Sequence, residues 1–267
     1  LGEKKKEPAM AATPPPASPP PAPPLTPRAL LVDKLYEYCT DAPTAIQTHG
    51  PIASWNVTGV RDMSWLFYDL TACHATFDED LSAWDTSAVT SMAGVFANLG
   101  AFNQPVAAWN TAAVTTMYGA FLRATAFNQA VSSWNVARVE NLEWIFEEAS
   151  SFNQPVAAWN TAAVTSMKGA FYYAAAFDQA VSSWNMERVT SVSYMFEAAN
   201  SFNQPIDWYV PHLRYANIFL AMAQGFNAPV HLRGTDRLEE LHAARAAAEK
   251  DCYAAQRART AAVSEAA

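Results

Sequence analysis

Five histidines, three cysteines and one acidic run are the residues of this chain whose types could support chemistry. The histidines are His49, His74, His212, His231 and His242. A zinc site would need one of them paired with a second His or a Cys at ligand spacing, and none is so paired in sequence. They read as loop and helix surface. Serines are abundant, but no G-x-S-x-G elbow is present, so a Ser/His/Asp triad can be drawn only by free choice. Asp78, Glu79, Asp80 and Asp85 supply oxygens that suit a hard cation such as calcium, yet the spacing of a calcium loop is missing. A solvated acidic edge is the expectation. No catalytic, cofactor-binding or metal-binding residue is assigned, no cofactor is expected, and the chain is read as non-enzymatic.

Three cysteines are too few for a disulfide scaffold. Cys252 lies in a charged, helical-looking tail and reads as a bystander. Cys39 lies in the segment leading into a repeat array, and Cys73 in an insertion within the first repeat. Those two regions should touch, so a Cys39–Cys73 bridge pinning the N-terminal cap is a hypothesis that a mass gain on reduction would support. Asn56-Val57-Thr58 is a glycosylation sequon.

The residues most able to recognise a partner are Tyr118, Lys168, Tyr172 and Tyr173, which occupy variable positions in otherwise copied blocks. An Asn/Asp ladder (Asn103, Asn128, Asn153, Asp178, Asn203, Asn227) could be a polar binding strip. A structural role is preferred, because stacked amides can satisfy turn backbone groups. Trp65, Gly94, Gly119, Trp144, Gly169 and Tyr194 form another column. There an aromatic ring on one coil can fill the gap left by a neighbouring glycine, and packing is preferred to ligand binding.

Ladders of bulky residues must position these side chains. All 14 phenylalanines fall on two of them. One runs Phe77, Phe102, Phe127, Phe152, Phe177, Phe202, Phe226; the other runs Phe67, Phe96, Phe121, Phe146, Phe171, Phe196, Phe219. Tryptophan adds Trp55, Trp84, Trp109, Trp134, Trp159, Trp184, Trp208. The central period is 25 residues. A bulky apolar residue returning at a fixed period means like units stacked face to face. The run FNQPVAAWNTAAVT at 102–115 recurs letter for letter at 152–165, so blocks of two coils were duplicated. Val114, Met117, Ala120 and Phe121 follow the spacing of one helix face, with Asn110 or Thr111 as its cap. Gln104–Trp109 reads as a short strand pairing in parallel with its equivalents. The expected fold class is an α/β repeat solenoid, leucine-rich-repeat-like, with coils of short strand plus short helix. At ~4.8 Å per coil, seven coils give a rod on the order of 30–35 Å.

Four regions follow: a Pro-rich extended arm over 1–27, an N-terminal helical cap over 28–50, the repeat array over 51–230, and a C-terminal helix over 231–267. Asp41 and Pro43 interrupt the helical pattern of the cap. The chain opens at Leu1, so any targeting segment is expected to have been removed before it.

Net charge is −8. Residues 55–230 hold 14 Asp/Glu against 6 Lys/Arg, which accounts for the whole excess. An acidic array repels phosphate backbones, so nucleic acid is not an expected partner. Lys4-Lys5-Lys6 is too short for a polybasic membrane anchor. No stretch approaches the ~20 apolar residues of a membrane span.

The unit F-N-Q-x-V-x-x-W-N-x-x-x-V-T-x-M-x-x-x-F resembles the BspA-like, DUF285 surface-protein repeat over Gly50 to Val230. That family is distantly similar to leucine-rich repeats and occurs in mycoplasma lipoproteins, other bacteria and marine microalgae. The lead-in, Leu35-Tyr36-Glu37-Tyr38-Cys39 and then Gly50-Pro51-Ile52-Ala53-Ser54-Trp55-Asn56-Val57-Thr58, resembles the N-terminal cap of algal members. Leu142 and Val192 depart from the Met position, and the last coil is degenerate, which leaves its boundary open. The resemblance implies no catalytic residues and a surface, adhesive or interaction role. The leading expectation is a scaffold that binds other protein subunits through the Pro-rich arm, the solenoid face and the C-terminal helix. In one version it is a peripheral subunit of a membrane-associated assembly in an organelle such as the chloroplast, a photosynthetic one included. The alternative is a cell-surface adhesin or glycan-binding protein.

Overall fold

The computed structural model describes residues 27–214 and 226–235. The arm over 1–26, Phe219, Cys252, His242 and the expected helix from 236 onward lie outside the described residues.

Two helices open the described chain. Helix α1 spans Pro27–Thr40 and helix α2 spans Ala42–His49. Asp41 separates them because it is spent as the cap of α2: its carboxylate accepts from the Thr44 backbone N–H at 3.2 Å and from the Thr44 hydroxyl at 2.7 Å. Pro43, which lacks an N–H, sits in the first turn, where none is needed. Helix α1 buries Leu31 and Leu35 on the end of the repeat stack. Tyr38 meets Trp55 and Phe77 edge-on, each at 6.2 Å. Arg28 donates to the Ser64 carbonyl at 2.7 Å. A disulfide joins Cys39 to Cys73, with Cα atoms 5.2 Å apart. Cys73 lies in a 3₁₀ turn at Thr71–Cys73, inside the insertion that lengthens the first coil. Closing a loop of this size stabilises a fold by roughly 3–4 kcal/mol in the chain-entropy picture.

Beyond the cap the units stack at a fixed offset. Single parallel bridges run Asp62–Ser91–Thr116–Asn141–Ser166–Ser191. From each bridge the chain continues as a ladder in which alternate residues reach the next coil. The N–H groups of Met117, Gly119, Phe121 and Arg123 donate to the carbonyls of Asn141, Glu143, Ile145 and Glu147, at 2.7–3.1 Å. The intervening N–H groups turn back three residues: Ala120 to Met117, Leu122 to Gly119, Ala124 to Phe121. Both Gly119 and Arg123 have φ near +57°, as the third position of a type II turn demands.

The local structure of a coil therefore differs from expectation. The segment 114–121 is a run of turns rather than a short helix, because its N–H groups go to a neighbouring coil or three residues back, not to residue i−4. The segment 104–109 is no strand either: Trp109 closes a turn onto the Val106 carbonyl at 3.1 Å, and Pro105 has no N–H to give a ladder. Asn110 and Thr111 cap no helix. Asn110 Oδ1 accepts from the Ala112 N–H, and the Thr111 hydroxyl donates to the Asn135 carbonyl of the next coil.

True strands appear at the far end. Strand β1, Ile206–Tyr209, pairs in parallel with β2, Val230–Arg233, in the register Ile206–Val230 to Tyr209–Arg233. Side chains alternate inward and outward along both. The C-terminal helix expected over 231–267 therefore cannot begin at 231, since His231–Arg233 complete this pair.

The ladders form one continuous core. Phe102, Phe127, Phe152, Phe177 and Phe202 are buried and stack at 5.9–6.0 Å with nearly parallel planes. Six tryptophans of the ladder are buried with the indole N–H satisfied one coil back: Trp84 on Ile52, Trp109 on Leu81, Trp134 on Val106, Trp159 on Val131, Trp184 on Val156 and Trp208 on Val181, at 2.9–3.0 Å. A polar indole edge can thus sit in an apolar core without an orphan donor.

Candidate interaction surface

The turn ladder that links the coils also carries the outward-facing columns. Within it, the residue after the Met-type position is partly exposed at Ser64, Ala93, Tyr118, Glu143 and Lys168, and buried at Ser193. The next position must take φ > 0, and it is glycine at Gly94, Gly119 and Gly169. Trp65, Trp144 and Tyr194 hold the same left-handed conformation, at φ 55°, 58° and 61°. The Trp65 and Trp144 rings lie over neighbouring glycines. A Cβ on Gly94 would come within 2.2 Å of the Trp65 ring, and one on Gly169 within 1.9 Å of the Trp144 ring. The alternation is a packing device in which a bare backbone makes room for a neighbour's ring.

Two aromatic clusters result. In the first, Trp65 meets Tyr68 at 5.4 Å and Tyr118 at 6.0 Å. In the second, Lys168 Nζ lies 5.3 Å from the Trp144 ring centre and 5.9 Å from that of Tyr194. Tyr172 packs on Trp144 at 5.7 Å and on Tyr173 at 4.6 Å. Lys168, Tyr172 and Tyr173, singled out by their variability, are thus brought together, and Tyr118 is placed in the other cluster. Tyr68 and Tyr173 are about half exposed; Trp65, Tyr118, Trp144, Lys168, Tyr172 and Tyr194 are partly so.

Carboxylates interleave with these rings. Burial raises the pKa of Glu147, with Glu148 adding to the effect and Arg123 opposing it. Burial also raises Glu197, whose Oε2 is enclosed and has no hydrogen-bond partner among the described residues. Tyr118 is pushed up by burial and by Glu143 and Glu147. Tyr172 is pushed up by burial first, then by Glu197, Tyr173 and Glu147. Glu143 accepts from the Ser166 hydroxyl at 2.6 Å, and Arg123 Nε reaches Glu148 at 3.3 Å. The tyrosines were legible as variable positions. The glutamates were not, because nothing in their spacing separates them from ordinary surface charge.

Most of the remaining candidates for chemistry among the described residues have local tasks. His49 pairs with Glu37 at 2.7 Å, and His74 Nε2 lies 3.0 Å from the Phe67 carbonyl; His212 and His231 are exposed. In the acidic run, Asp78 accepts from the Asn103 N–H, Asp80 from Ser82 and Asp85 from Ser87. Hydrogen bonding from the Ser82 and Ser87 side chains, and then from their backbone N–H groups, holds the Asp80 and Asp85 carboxyls below the usual range. Glu79 faces Tyr38, whose pKa is pushed up to about 12, first by burial and then by Glu79. Among the described residues no group of three or more His, Cys, Asp or Glu is arranged to hold a metal, and no helix is long and apolar enough to cross a membrane. The Asn ladder works as turn glue. Asn103 Oδ1 accepts from the Asn128 N–H and the Gln129 amide, and the pattern repeats from Asn128 and Asn153.

Comparison with known proteins adds one finding. The family described as "Mycoplasma protein of unknown function, DUF285" matches residues 34–155 and 130–234. No curated protein and no solved structure matches the chain. The two matches overlap end to end through the cap and the repeats, and the chain belongs to the DUF285 family.

Proposed function

We propose that this is a non-enzymatic scaffold: an open, leucine-rich-repeat-like solenoid that docks a partner protein on its aromatic and carboxylate strip. The solenoid reading draws on hydrogen bonds that recur at a constant offset between coils. The non-enzymatic reading draws on the local structural tasks that occupy most of the described residues otherwise suited to chemistry. The observation that carries the docking reading is the second cluster. There Trp144, Tyr172, Tyr173 and Tyr194 present ring surface beside Glu147 and Glu197, two carboxylates held partly out of water without full compensation. Rings flanked by under-solvated carboxylates favour a basic segment of a partner, whose Lys or Arg would meet both a π-face and a charge. Lys168 already uses the Trp144 face in this way.

The test is mild-detergent purification of the full chain from its native source through a C-terminal tag, followed by mass spectrometry of co-eluting proteins. A stoichiometric partner is expected, and it should be lost from the E147K/E197K variant. Co-elution at unchanged yield with that variant would remove the strip from the interface. A second reading, a cell-surface adhesin or glycan-binding protein, is favoured by the row of half-exposed rings and by the disulfide of the cap. Elution alone, together with surface labelling of intact cells, would select it. A peripheral place in a larger membrane-associated assembly is the version of the scaffold reading that the co-eluting proteins would identify.

A further inference from the structure

We infer that Asn56 is a site of N-linked glycosylation and that the chain matures in an oxidising, lumenal compartment. Asn56-Val57-Thr58 is the one N-x-S/T sequence in the 267 residues, and the fold leaves it usable. Asn56 and Thr58 are both exposed, while Val57 between them is buried and fixes the segment to the core.

The two ends of the Asn56 amide have different roles. Its Oδ1 accepts from the Thr58 backbone N–H at 3.0 Å, closing the turn. Its Nδ2 has no protein acceptor among the described residues. A sugar on Nδ2 leaves the amide oxygen free to keep that bond, so modification costs the fold no hydrogen bond. The same turn is closed in the next coil by Asp85, which accepts from the Ser87 N–H at 3.0 Å. Asn110, Asn135, Asn160 and Asn185 repeat it. Those later asparagines lack a Ser or Thr two residues on. Of this column only Asn56, beside the cap, combines turn geometry, exposure and acceptor sequence.

The second line of evidence is the Cys39–Cys73 disulfide, which ties α1 to the insertion of the first coil. Structural disulfides persist in oxidising compartments and are rare where glutathione keeps thiols reduced. In eukaryotic secretory lumens, disulfide formation and asparagine glycosylation occur together. The transfer is balanced without redox change. The Asn56 Nδ2 forms a bond to the anomeric carbon of a lipid-linked diphosphate oligosaccharide. The bond from that carbon to the phosphate oxygen breaks, the lipid diphosphate leaves, and one amide proton is lost to the transferase's base. The inference holds whether or not the aromatic strip docks a partner.

The test is the intact mass of the full chain purified from its native source, before and after peptide N-glycosidase, with peptide mapping of residue 56. The expected result is a loss of one oligosaccharide and conversion of Asn56 to Asp. Two variants produced in the same cells separate glycan from fold. Asn56→Asp keeps a turn-closing carboxylate, as Asp85 does, and Thr58→Ala keeps the asparagine while deleting the acceptor sequence. Both should run at the deglycosylated mass with the disulfide intact. Unmodified Asn56 in the native protein, or a glycan that survives both substitutions, would overturn the inference.

Discussion

Glu197 and Glu147 are ionisable groups placed where water is scarce. Burial raises both pKa values, so the folded chain holds their protons more tightly than the unfolded chain does. Their effect on stability therefore has a definite sign. Below the ordinary glutamate range both states are protonated and nothing is lost. As pH rises through the raised folded values, the unfolded chain ionises at less cost and stability falls. A neutral isostere removes that loss. Glu197→Gln is expected to raise the thermal midpoint at pH 7, by no more than about 2 °C given the partial exposure of the group. The gain should vanish near pH 4. Matched melting curves at both pH values decide it; an equal or lower midpoint at pH 7 would mean that an unseen partner already compensates Glu197. Asp80 and Asp85 act in the opposite direction. Their lowered values contribute stability above the ordinary aspartate range that is lost as pH falls, so the low-pH curve should be read as a difference between variants and not as an absolute midpoint.

A single coil is governed by turns closed three residues back, alternating with bonds to the next coil. The sequence concealed this. Val114, Met117, Ala120 and Phe121 point inward at the spacing of a helix face, and successive three-residue turns place inward residues at nearly the same interval. What separates the two is backbone sign. Gly94, Gly119 and Gly169 sit where φ must be positive, and a conformation that favours glycine was legible only as room for a ring. The packing half of that reading was legible because the alternation of glycine with Trp or Tyr follows the coil period. Both halves can be measured together. Gly169→Ala brings a Cβ against the Trp144 ring and also places an L-residue in the left-handed region. The conformational part costs about 1–2 kcal/mol; the steric part exists only while the Trp144 ring is there. In a double-mutant cycle, Gly169→Ala should cost clearly more in the wild-type background than in Trp144→Ala. Equal costs in the two backgrounds would show that the ring moves aside freely and that the column does not couple neighbouring coils.

Across the whole molecule, order comes from one offset applied repeatedly. The indole bonds, the Asn ladder and the bridge residues all join a coil to its neighbour. This level was legible in the sequence almost in full, because equivalent side chains can stack only if the offset between coils equals the period of the ladders. The N-terminal end was legible as a helical cap pinned by a Cys39–Cys73 bridge, and the C-terminal end was not. Helix α1 and the Cys39–Cys73 bond close one end through contacts that no repeat encodes, and at the other end β1 and β2 replace turns where the period slips. If stability is a sum of coils and their interfaces, then excising a whole two-coil block should leave every remaining interface in register. Deleting residues 102–151 joins Ala101 to Phe152 and restores the same FNQPVAAWNTAAVT run at the junction. The shortened chain is expected to fold with the Cys39–Cys73 bond formed, near-ultraviolet dichroism of its stacked tryptophans retained and a single, lower thermal midpoint. Deleting a stretch of half a coil, residues 102–113, breaks the offset for the Trp, Phe and Asn ladders together and should abolish that signal. Equal damage from the two deletions would mean that the array depends on contacts beyond nearest neighbours, and the coil-by-coil account of its stability would then be wrong.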